Sequence, residues 1–368
     1  MDERLDFLFL NEKEAIQAGA NDMARCVDVM DEVFQLLGQG DYLMGCPNHN
    51  AHGIKIYFPK ETPFPRMPVK GPDRRFMALV AYLGGRFHVC GEKWYGSNLA
   101  NREQGLPRSI LTTVLNDADT GAPIAFLSAN ALSSTRTGAI PAVGAKYCAR
   151  KDSSVLGIIG VGVIGRACLS GLMCVLPNIK TVKIYDLDQK AAQDTCRQVE
   201  EQYPGVKAEA VASVEEAVRD SDVVNVATSG AVSPEIRDEW LKEGALLTLP
   251  ASAALSKQMM QTSTILVDDW KMYEAYAQEL RDEPGGFAAN LSGICGYMMD
   301  LVYGGELARE RIVNLGDVVM GKHPGRTSDQ EKIIFIMDGM PIEDVAWGYT
   351  VYENAKKMGL GTKLNLWG

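Results

Sequence analysis

The chain has 368 residues, of which 46% are hydrophobic and 23% are charged, as in an ordinary globular protein. This length exceeds what one hydrophobic core comfortably supports, so two domains are expected. The 37 lysines and arginines against 47 aspartates and glutamates give a formal net charge of -10. That balance argues against nucleic acid or an anionic membrane as the main partner.

The sequence also argues against export, membrane insertion and metal binding. The N-terminal residues MDERLDFLFLNEKEAI carry acids where a signal peptide would carry positive charge, and no apolar run approaches the roughly 18 residues needed to cross a bilayer. The eight cysteines form no CxxC pair and the four histidines lack metal-binding spacing, so no metal site is predicted. We therefore expect a cytoplasmic protein with reduced cysteines.

The N-terminal third is predicted to contain helices followed by mostly extended chain. Apolar positions at helical spacing predict one or two helices over residues 11–38, and the prolines and glycines between residues 42 and 72 predict short extended pieces and turns. The polar stretch Gly96–Gly105 is predicted to be a loop over a site, and NDADTG at 116–121 a hairpin turn. The predicted strands are Phe76–Tyr82, Arg86–Lys93, Ile110–Asn116 and Ile124–Ser128.

From residue 133 onward, helices and strands alternate. The predicted helices are Ser133–Ala149, Ile164–Leu176, Gln189–Tyr203 and Ile342–Met358. The predicted strands are Val155–Ile159, Thr181–Tyr185, Ala208–Val211, Val223–Ala227, Ala245–Leu249, Ile265–Asp268 and Lys332–Met337. Regular alternation of this kind predicts a parallel sheet covered by helices on both faces.

A glycine-rich turn within VLGIIGVGVIGRACLSGL (155–172) is the most specific motif in the sequence. An apolar strand runs directly into Gly160, Gly162 and Gly165 in the spacing GxGxxG, and an apolar helix follows. The first glycine makes the tight turn, the second admits a pyrophosphate to the backbone, and the third lets helix and strand pack closely. The amides at the helix start, around Val163 and Ile164, face the phosphates. The motif predicts a dinucleotide-binding site; the alternative is an ordinary glycine turn.

The strand after this helix ends at Asp186, 21 residues beyond Gly165. A carboxylate there accepts hydrogen bonds from ribose hydroxyls and repels a 2′-phosphate, so NAD is predicted rather than NADP. The alternative for Asp186 is an aspartate that simply ends a strand before a turn, which is common, and Asp188 is a competing candidate. Thr228 and Ser229 follow a later strand, where small hydroxyl residues lie over the cofactor crevice; a plain strand-ending turn is the alternative.

Two further segments frame the glycine turn: LSSTRTGAIPAVGAKYCAR (132–150) before it, and HPGRTSDQEKIIFIMDGMPIEDVAWGYTVYENAKKMGLGTKL (323–364) after it. With the turn, they resemble the ornithine cyclodeaminase and mu-crystallin family over nearly the whole chain. The resemblance implies an α/β fold in which a Rossmann doubly wound parallel sheet (131–319) is inserted in a mixed α+β substrate-binding and dimerisation domain (1–130 plus 320–368). It also implies a homodimer.

Family chemistry interconverts amino acids and imino acids by hydride transfer to or from a nicotinamide. The resemblance implies that Arg136, in STRTGA, holds the substrate carboxylate and that Lys93, in GEKWYG, lies beside the reacting carbonyl or imine. We also assign Thr137 to the cofactor. For Arg136 the alternative is a surface arginine at a helix start, and for Lys93 it is a solvated lysine at a strand end. His88 is a further candidate acid or base, against the interpretation of a half-buried strand histidine.

The sequence departs from the cyclodeaminases at three charged residues that bind their substrate. The aspartate that they place after the fifth Rossmann strand falls on Ala253, and their early arginine and glutamate fall near Met44–Gly45 and Ile56. Ornithine cyclodeamination is therefore doubtful, and a bulkier or less charged substrate is the simplest account. The aromatic residues that are candidates for lining its pocket are Phe87, Trp94 and Tyr95.

The segment GPDRRFMALVAYLGGRFHVCGEKWYGSN also resembles a family subgroup that carries the name of a tyramine oxidase component, which hints at aromatic amines. The sequence as a whole predicts an NAD-dependent oxidoreductase that acts by hydride transfer on an amino acid, an amine or the corresponding imine. One alternative is a cyclodeaminase-type ammonia lyase. Another is a catalytically silent, nucleotide-bound binding protein of the mu-crystallin kind.

Overall fold

The computed structural model describes residues 4–46, 48–230, 232–291 and 293–368. Its strands in chain order are β1 (Leu5–Leu10), β2 (Tyr42–Met44), β3 (Ile54–Tyr57), β4 (Arg75–Leu83), β5 (Val89–Ser97), β6 (Ser109–Asp117), β7 (Pro123–Ser128), β8 (Val155–Ile159), β9 (Thr181–Tyr185), β10 (Lys207–Ala210), β11 (Val223–Val226), β12 (Leu246–Leu249), β13 (Thr264–Val267), β14 (Ile312–Asn314), β15 (Ile333–Ile336) and β16 (Thr362–Trp367). Its α-helices are α1 (Glu12–Gln17), α2 (Met23–Gln39), α3 (Asn130–Cys148), α4 (Val163–Val175), α5 (Gln189–Gln202), α6 (Val214–Val218), α7 (Lys257–Thr262), α8 (Trp270–Glu279), α9 (Phe287–Asn290), α10 (Gly293–Tyr303), α11 (Leu315–Val319) and α12 (Pro341–Met358).

The chain forms two compact units. Among the described residues, the first unit comprises 4–22, 39–136 and 340–368, and the second comprises 23–38 and 137–339. Three segments differ from the predicted boundaries, because 131–136 groups with the first unit, and 23–38 and 320–339 group with the second. The segment 320–339 contains β15, an entirely apolar strand that pairs on both sides with strands of the parallel sheet.

The first unit is built on one mixed sheet in the order β16-β1-β7-β6-β5-β4-β2, with β3 also paired to β4. Only β1 and β7 run parallel. Burial alternates along the strands, so in β4 Met77 and Leu79 are buried while Phe76 and Val80 are exposed. The buried side of the central strands is called the inner face below, and the opposite side the outer face.

Helix α12 packs on the inner face of this sheet. It begins with Pro341, where a missing amide hydrogen costs nothing, and ends at Gly359 with a φ of 68°. Trp347 is fully buried and its Nε1–H donates to the carbonyl of Ala20 at 3.1 Å. The C-terminal helix is therefore the core of the first unit rather than an appendage.

The second unit contains eight parallel strands in the order β10-β9-β8-β11-β12-β15-β13-β14. The residues of β11, β12 and β15 are all buried, as expected for central parallel strands covered on both faces. The strand order reverses direction between β8 and β11, and in such sheets ligands bind at the carboxyl ends of the strands at this point. The predicted Rossmann fold, inserted in a mixed α+β unit, is confirmed.

Several local predictions need correction. Strand β5 begins at Val89 rather than Arg86, because Gly84 to His88 form a turn, and it continues through Ser97. Lys93 therefore lies in the middle of a strand, and residues Leu99–Gln104 form a 3-10 helix rather than an open loop. Strands β1 and β16, which pair with each other, were not predicted from the sequence. The hairpin turn between β6 and β7 is where it was predicted.

Among the described residues, the helices are all too short or too polar to serve as a membrane span. The eight cysteines all lie among the described residues, and none of them forms a disulfide bond.

Candidate functional site

A buried ion pair occupies the inner face of the first sheet. Lys93 lies at the centre of β5 and its side chain is only 3% exposed. Its Nζ donates to Oδ2 of Asp344, in the first turn of α12, at 2.7 Å, and lies 3.4 Å from the hydroxyl of Ser133. Strand alternation turns Lys93 inward, and the start of α12 supplies the carboxylate that makes this position tolerable for a cation.

Arg136 completes the arrangement from α3. Its Nε donates to Oδ1 of Asp344 at 2.9 Å, and its Nη1 donates to Oε2 of Glu343 at 2.8 Å. The same Glu343 oxygen accepts the backbone N–H of Met340 at 3.0 Å. We call Lys93, Arg136, Glu343 and Asp344 the charge cluster. Its two cations balance two acids, and the positive end of the α12 dipole favours the acids in the first helical turn.

The environment of Lys93 changes its proton affinity. Burial, reinforced by the nearby Arg136 cation, lowers the pKa of Lys93 from 10.5 to about 8, although Asp344 and Glu343 act in the opposite direction. A lysine with such a pKa exchanges its proton near neutral pH, which a solvated lysine does not do. The cluster is therefore suited to giving or taking a proton beside a bound molecule.

The two acids of the charge cluster, Glu343 and Asp344, were not predicted from the sequence. Glu343 and Asp344 stand in MPIEDVAW, directly after the proline that opens α12. Two acids in the first turn of a helix are usually exposed to solvent and stabilise the positive end of the helix dipole. The pattern alone therefore does not indicate a site. The informative signal was the run VAWGYTVY (345–352) directly after the acids, which is apolar on nearly every side and predicts that the start of this helix is buried.

The structure does not bring His88 to the charge cluster. His88 precedes β5 with a φ of 38°, five residues from Lys93, or about 17 Å along a strand. Its side chain is 52% exposed, with Nε2 at 3.0 Å from Oδ1 of Asp119 and Nδ1 at 3.3 Å from the hydroxyl of Tyr82. The prediction that His88 faces the groove as an acid or base is therefore withdrawn.

Of the three aromatic candidates, only Tyr95 shares the face of Lys93. The Lys93 Nζ lies 5.8 Å from the centre of the Tyr95 ring. Trp94 points to the outer face and is exposed, as alternation along β5 requires. Phe87 is buried and packs edge-on against Tyr349 of α12. Trp94 and Phe87 therefore do not line the inner face beside Lys93.

The glycine turn in the second unit has the close packing that a dinucleotide site needs. Gly160 follows β8 with a φ of 90°, and a Cβ there would approach the carbonyl oxygen of Ala227 to 2.7 Å. A Cβ on Gly165 would collide with the carbonyl of Gly160. Gly162 differs, because a Cβ on it would meet no atom within 4 Å. The turn therefore leaves open space in front of Gly162, where a pyrophosphate fits.

Helix α4 begins directly at this open space. Gly162 is its N-cap residue, and Val163 and Ile164 are its first two residues. Val163 is 64% exposed, a large exposure for an apolar residue at a helix start. The first amides of a helix have no partner within the helix, so Val163 and Ile164 present N–H groups and the positive end of the helix dipole. These features fit an anionic group such as a pyrophosphate.

Asp186 and Asp188 have different neighbours. Asp186 lies directly after β9, where its Oδ2 accepts the N–H of Val161, in the glycine turn, at 2.8 Å. Asp188 accepts the N–H groups of Lys190 and Ala191 at 3.0 and 3.1 Å and so caps α5. Asp186 is therefore the acid beside the dinucleotide turn, and Asp188 has a local capping role.

The remaining predicted cofactor residues lie around the same turn. Thr228 and Ser229 follow β11, and a Cβ on Gly160 would come within 3.1 Å of the Thr228 nitrogen. Thr137 precedes Gly138, which packs closely on Ala167 of α4. The structure thus brings Thr137, Thr228 and the glycine turn into one region of the second unit.

The position predicted for the cyclodeaminase aspartate holds no acid. Ala253 is buried in the turn after β12, and the neighbouring hydroxyl of Ser252 accepts the N–H of Ile294 at 2.9 Å. Within residues 4–46, 48–230, 232–291 and 293–368, no three His, Cys, Asp or Glu side chains are grouped as metal ligands.

Comparisons with known proteins agree with this architecture. Residues 20–359 match the model of the ornithine cyclodeaminase/mu-crystallin family. The chain is 34% identical to an alanine dehydrogenase from Archaeoglobus fulgidus over 78% of this chain and 82% of that one. It is 28% identical to N-((2S)-2-amino-2-carboxyethyl)-L-glutamate dehydrogenase from Staphylococcus aureus over 98% of this chain and 99% of that one.

A solved structure shows the same likeness in three dimensions. The chain superposes on an archaeal alanine dehydrogenase dimer with bound NAD at a TM-score of 0.77 and 28% identity. The superposition covers 99% of this chain and 100% of that one. Fold, length and sequence therefore agree. The chain belongs to the ornithine cyclodeaminase/mu-crystallin family.

Proposed function

We propose that this chain is an NAD-dependent oxidoreductase that acts on an amino acid, an amine or the corresponding imine by hydride transfer. The observation that carries the proposal is the buried Lys93, which is held by Asp344 at 2.7 Å and has a pKa of about 8. Two of its relatives described above are named dehydrogenases, and a similar alanine dehydrogenase has bound NAD.

The proposed cofactor residues are those that surround the open glycine turn: Gly160, Gly162, Val163, Ile164, Gly165, Asp186, Thr137, Thr228 and Ser229. The amides of Val163 and Ile164 would hold the pyrophosphate, and Asp186 would accept the ribose hydroxyls. Bound NAD supplies the hydride acceptor or donor.

The proposed catalytic residues are Lys93 and Arg136. Neutral Lys93 takes a proton from the substrate amine during oxidation, and the ammonium form returns it during imine reduction. The guanidinium of Arg136 binds the substrate carboxylate while Asp344 and Glu343 fix its plane. Asp344 contacts both cations and so positions them relative to each other.

The two alternative functions are less well supported. A cyclodeaminase of the usual kind needs an acid for the reacting amine, and Ala253 cannot bind an ammonium group. A silent binding protein has no need for a buried lysine, because burying it costs free energy that binding alone does not require. None of the relatives described above is a tyramine oxidase, so an aromatic amine substrate stays a prediction, as does a cytoplasmic location.

The outer face of the first sheet is proposed to bind a second copy of the chain. Phe76, Val80, Trp94 and Ile110 are exposed there, and the Phe76 and Trp94 rings stack at 5.7 Å. Phe76, Trp94 and Ile110 border a groove of about 700 Å³. Contiguous apolar surface of this kind usually marks an interface, and the similar archaeal alanine dehydrogenase is a dimer.

The proposed reaction is tested by following NADH formation or loss with amino acids, amines and cyclic imines. We expect substrate-dependent turnover, which Lys93→Met lowers by about 10² to 10⁴-fold because the proton-transfer group is gone. Lys207→Met, at an exposed strand lysine, is the matched control and should turn over normally. Ornithine is assayed for released ammonia. Ammonia release without net NADH change would favour the cyclodeaminase, and silence in all assays with NADH still bound would favour the binding protein.

The cofactor preference is tested at Asp186. We expect Asp186→Ala to narrow the preference for NADH over NADPH by at least about tenfold, because the carboxylate no longer repels a 2′-phosphate. Asp188→Ala removes only the α5 cap and should keep the preference. Calorimetric titration with both dinucleotides measures the effect, and an unchanged preference in Asp186→Ala would show that another residue reads the ribose.

The proposed dimer is tested by sedimentation equilibrium. Trp94→Glu places a charge in the apolar outer face and should raise the dimer dissociation constant by at least about tenfold. Leu187→Glu replaces a more exposed apolar residue of the second unit, 88% against 39% for Trp94, and should leave association unchanged. A wild-type monomer, or equal effects of both variants, would contradict the proposed interface.

A further inference from the structure

A second charged group shares the inner face with Lys93. The pairings Lys93↔Thr113, Tyr95↔Leu111 and Ser97↔Ser109 are successive rows on one side of the sheet. In the same rows, β4 contributes Leu79, Met77 and Arg75. Arg75 therefore lies two rows from Lys93 along the same face.

Helix α12 covers only one end of this face. Asp344 contacts Lys93, Val345 lies against Gly91, and Tyr349 packs on Phe87 before the strand. The helix thus begins at the Lys93 row and runs away from Tyr95. Tyr95 and Arg75 lie beyond its first turn and are only partly buried in the first unit, whereas Met77 and Ser97 in the same rows are buried.

Arg75 belongs to a small cationic group. Asp73 forms ion pairs with Arg75 and, at 3.3 Å, with Nε of Arg108, and it accepts the Ser97 hydroxyl at 2.5 Å. One carboxylate neutralises one guanidinium, so the pair keeps a net positive charge. Burial, Arg75 and Arg102 together lower the pKa of Arg108, as expected where cations outnumber acids. The side chains of Arg75 and Arg108 are 26% and 41% exposed, so a solute can reach them.

Tyr95 sets the distance between the two cationic positions. The Lys93 Nζ and the Arg75 Cζ each lie 5.8 Å from the centre of the Tyr95 ring, so at most twice that distance separates them. The ring is held in place by Arg75 Nη2 at 3.4 Å and by Met77 Sδ, to which the phenol donates at 3.1 Å. A substrate can bridge the distance between the Lys93 Nζ and the Arg75 Cζ. The bridge consists of a hydrogen bond of about 3 Å at Lys93, about 4 Å of carbon chain, and about 4 Å from a carboxylate to the guanidinium carbon.

We propose that Arg75, supported by Arg108, binds a second carboxylate of the substrate, so that the protein selects a dicarboxylic amino or imino acid. The proposal rests on the proposed function, because it places the reacting carbon at Lys93 and the first carboxylate at Arg136. The carbon chain lies over the Tyr95 ring, and its distal acid meets the excess positive charge shared by Arg75 and Arg108.

The charge pattern of the chain fits this selectivity. The cyclodeaminases use an acid where this chain has Ala253, which suits a substrate with a reacting distal amine. This chain lacks that acid and has Arg75 on the substrate face instead, with Arg108 sharing the Asp73 carboxylate. A distal ammonium would be repelled by them, whereas a distal carboxylate is attracted.

The test compares the binding of 2-oxoglutarate and 2-oxopentanoate to the NADH-loaded protein by calorimetry at fixed ionic strength. Both have five carbons and the same 2-oxo acid group, from which an imine forms by condensation with an amine and loss of water. They differ only in the second carboxylate. In the wild-type protein we expect 2-oxoglutarate to bind at least about tenfold more tightly than 2-oxopentanoate. In Arg75→Met the two dissociation constants should differ by no more than about twofold.

Two further variants separate charge from structure. Arg74→Met is the matched control, because the neighbouring Arg74 donates to the carbonyl of Val69 instead, and it should keep the preference. Arg75→Lys keeps the charge without the planar fork and should retain part of the preference. Thermal unfolding of each variant confirms that it is folded.

The outcomes distinguish this proposal from the proposed function. Equal affinity for the two oxo acids, no binding of either, or a preference that survives Arg75→Met would overturn the selectivity proposal while NADH still binds. Failure to bind NADH would instead overturn the proposed function. Turnover of monocarboxylic amino acids alone would keep the dehydrogenase and contradict the role of Arg75.

Discussion

The burial of four charged side chains between β5, α3 and the first turn of α12 is the constraint on which the first unit depends. Lys93 and Arg136 are both held by Asp344, while Glu343 holds the other side of Arg136. A buried charge that loses its partner costs about 3 to 5 kcal/mol, so the three elements must meet in one register. Replacing such a cluster by apolar residues is often neutral or stabilising, so its value lies in positioning rather than stability.

The cluster also links distant parts of the chain. Lys93 and Asp344 are 251 residues apart, and Arg136 and Asp344 are 208 apart. The C-terminal helix must therefore return to the N-terminal sheet before the proposed proton-transfer group is formed. The intervening second unit, with its own eight-stranded sheet, holds the glycine turn. The chemistry proposed for Lys93 therefore depends on the contact between α12 and β5, which are far apart in sequence. The proposed nucleotide binding depends on the local turn after β8.

This division explains what the sequence could predict. The glycine turn, the end of β9 at Asp186 and the parallel strands are specified within short segments, so spacing and hydrophobicity identified them. The charge cluster depends on pairing between remote segments, which no local pattern contains. Lys93 and Arg136 were predicted through family resemblance, while Asp344 and Glu343 were missed because an acid pair at a helix start is usually solvated. Arg75 was missed for a similar reason, because its alignment with Lys93 follows from strand register.

Register also explains the predictions that did not hold. His88 lies in the turn before β5, and five residues separate it from Lys93, so a continuous strand would also have placed the two side chains on opposite faces. Trp94 is adjacent to Lys93 in sequence but lies on the opposite face, because side chains alternate along a strand. Strand β15 was expected in the substrate-binding and dimerisation domain. Its four apolar residues are instead typical of a central parallel strand, which is where the structure places it.

In the proposed reaction Lys93 transfers the proton, because burial and the nearby Arg136 cation lower its pKa to about 8. The most direct test is the pH dependence of kcat/KM for substrate oxidation, from about pH 6 to about pH 10. Only the neutral amine accepts a proton, so kcat/KM should rise with pH and level off above an ionisation near pH 8. The reverse reduction should fall through the same ionisation. A rate that shows no ionisation in this range, or the same profile in Lys93→Met, would contradict the account.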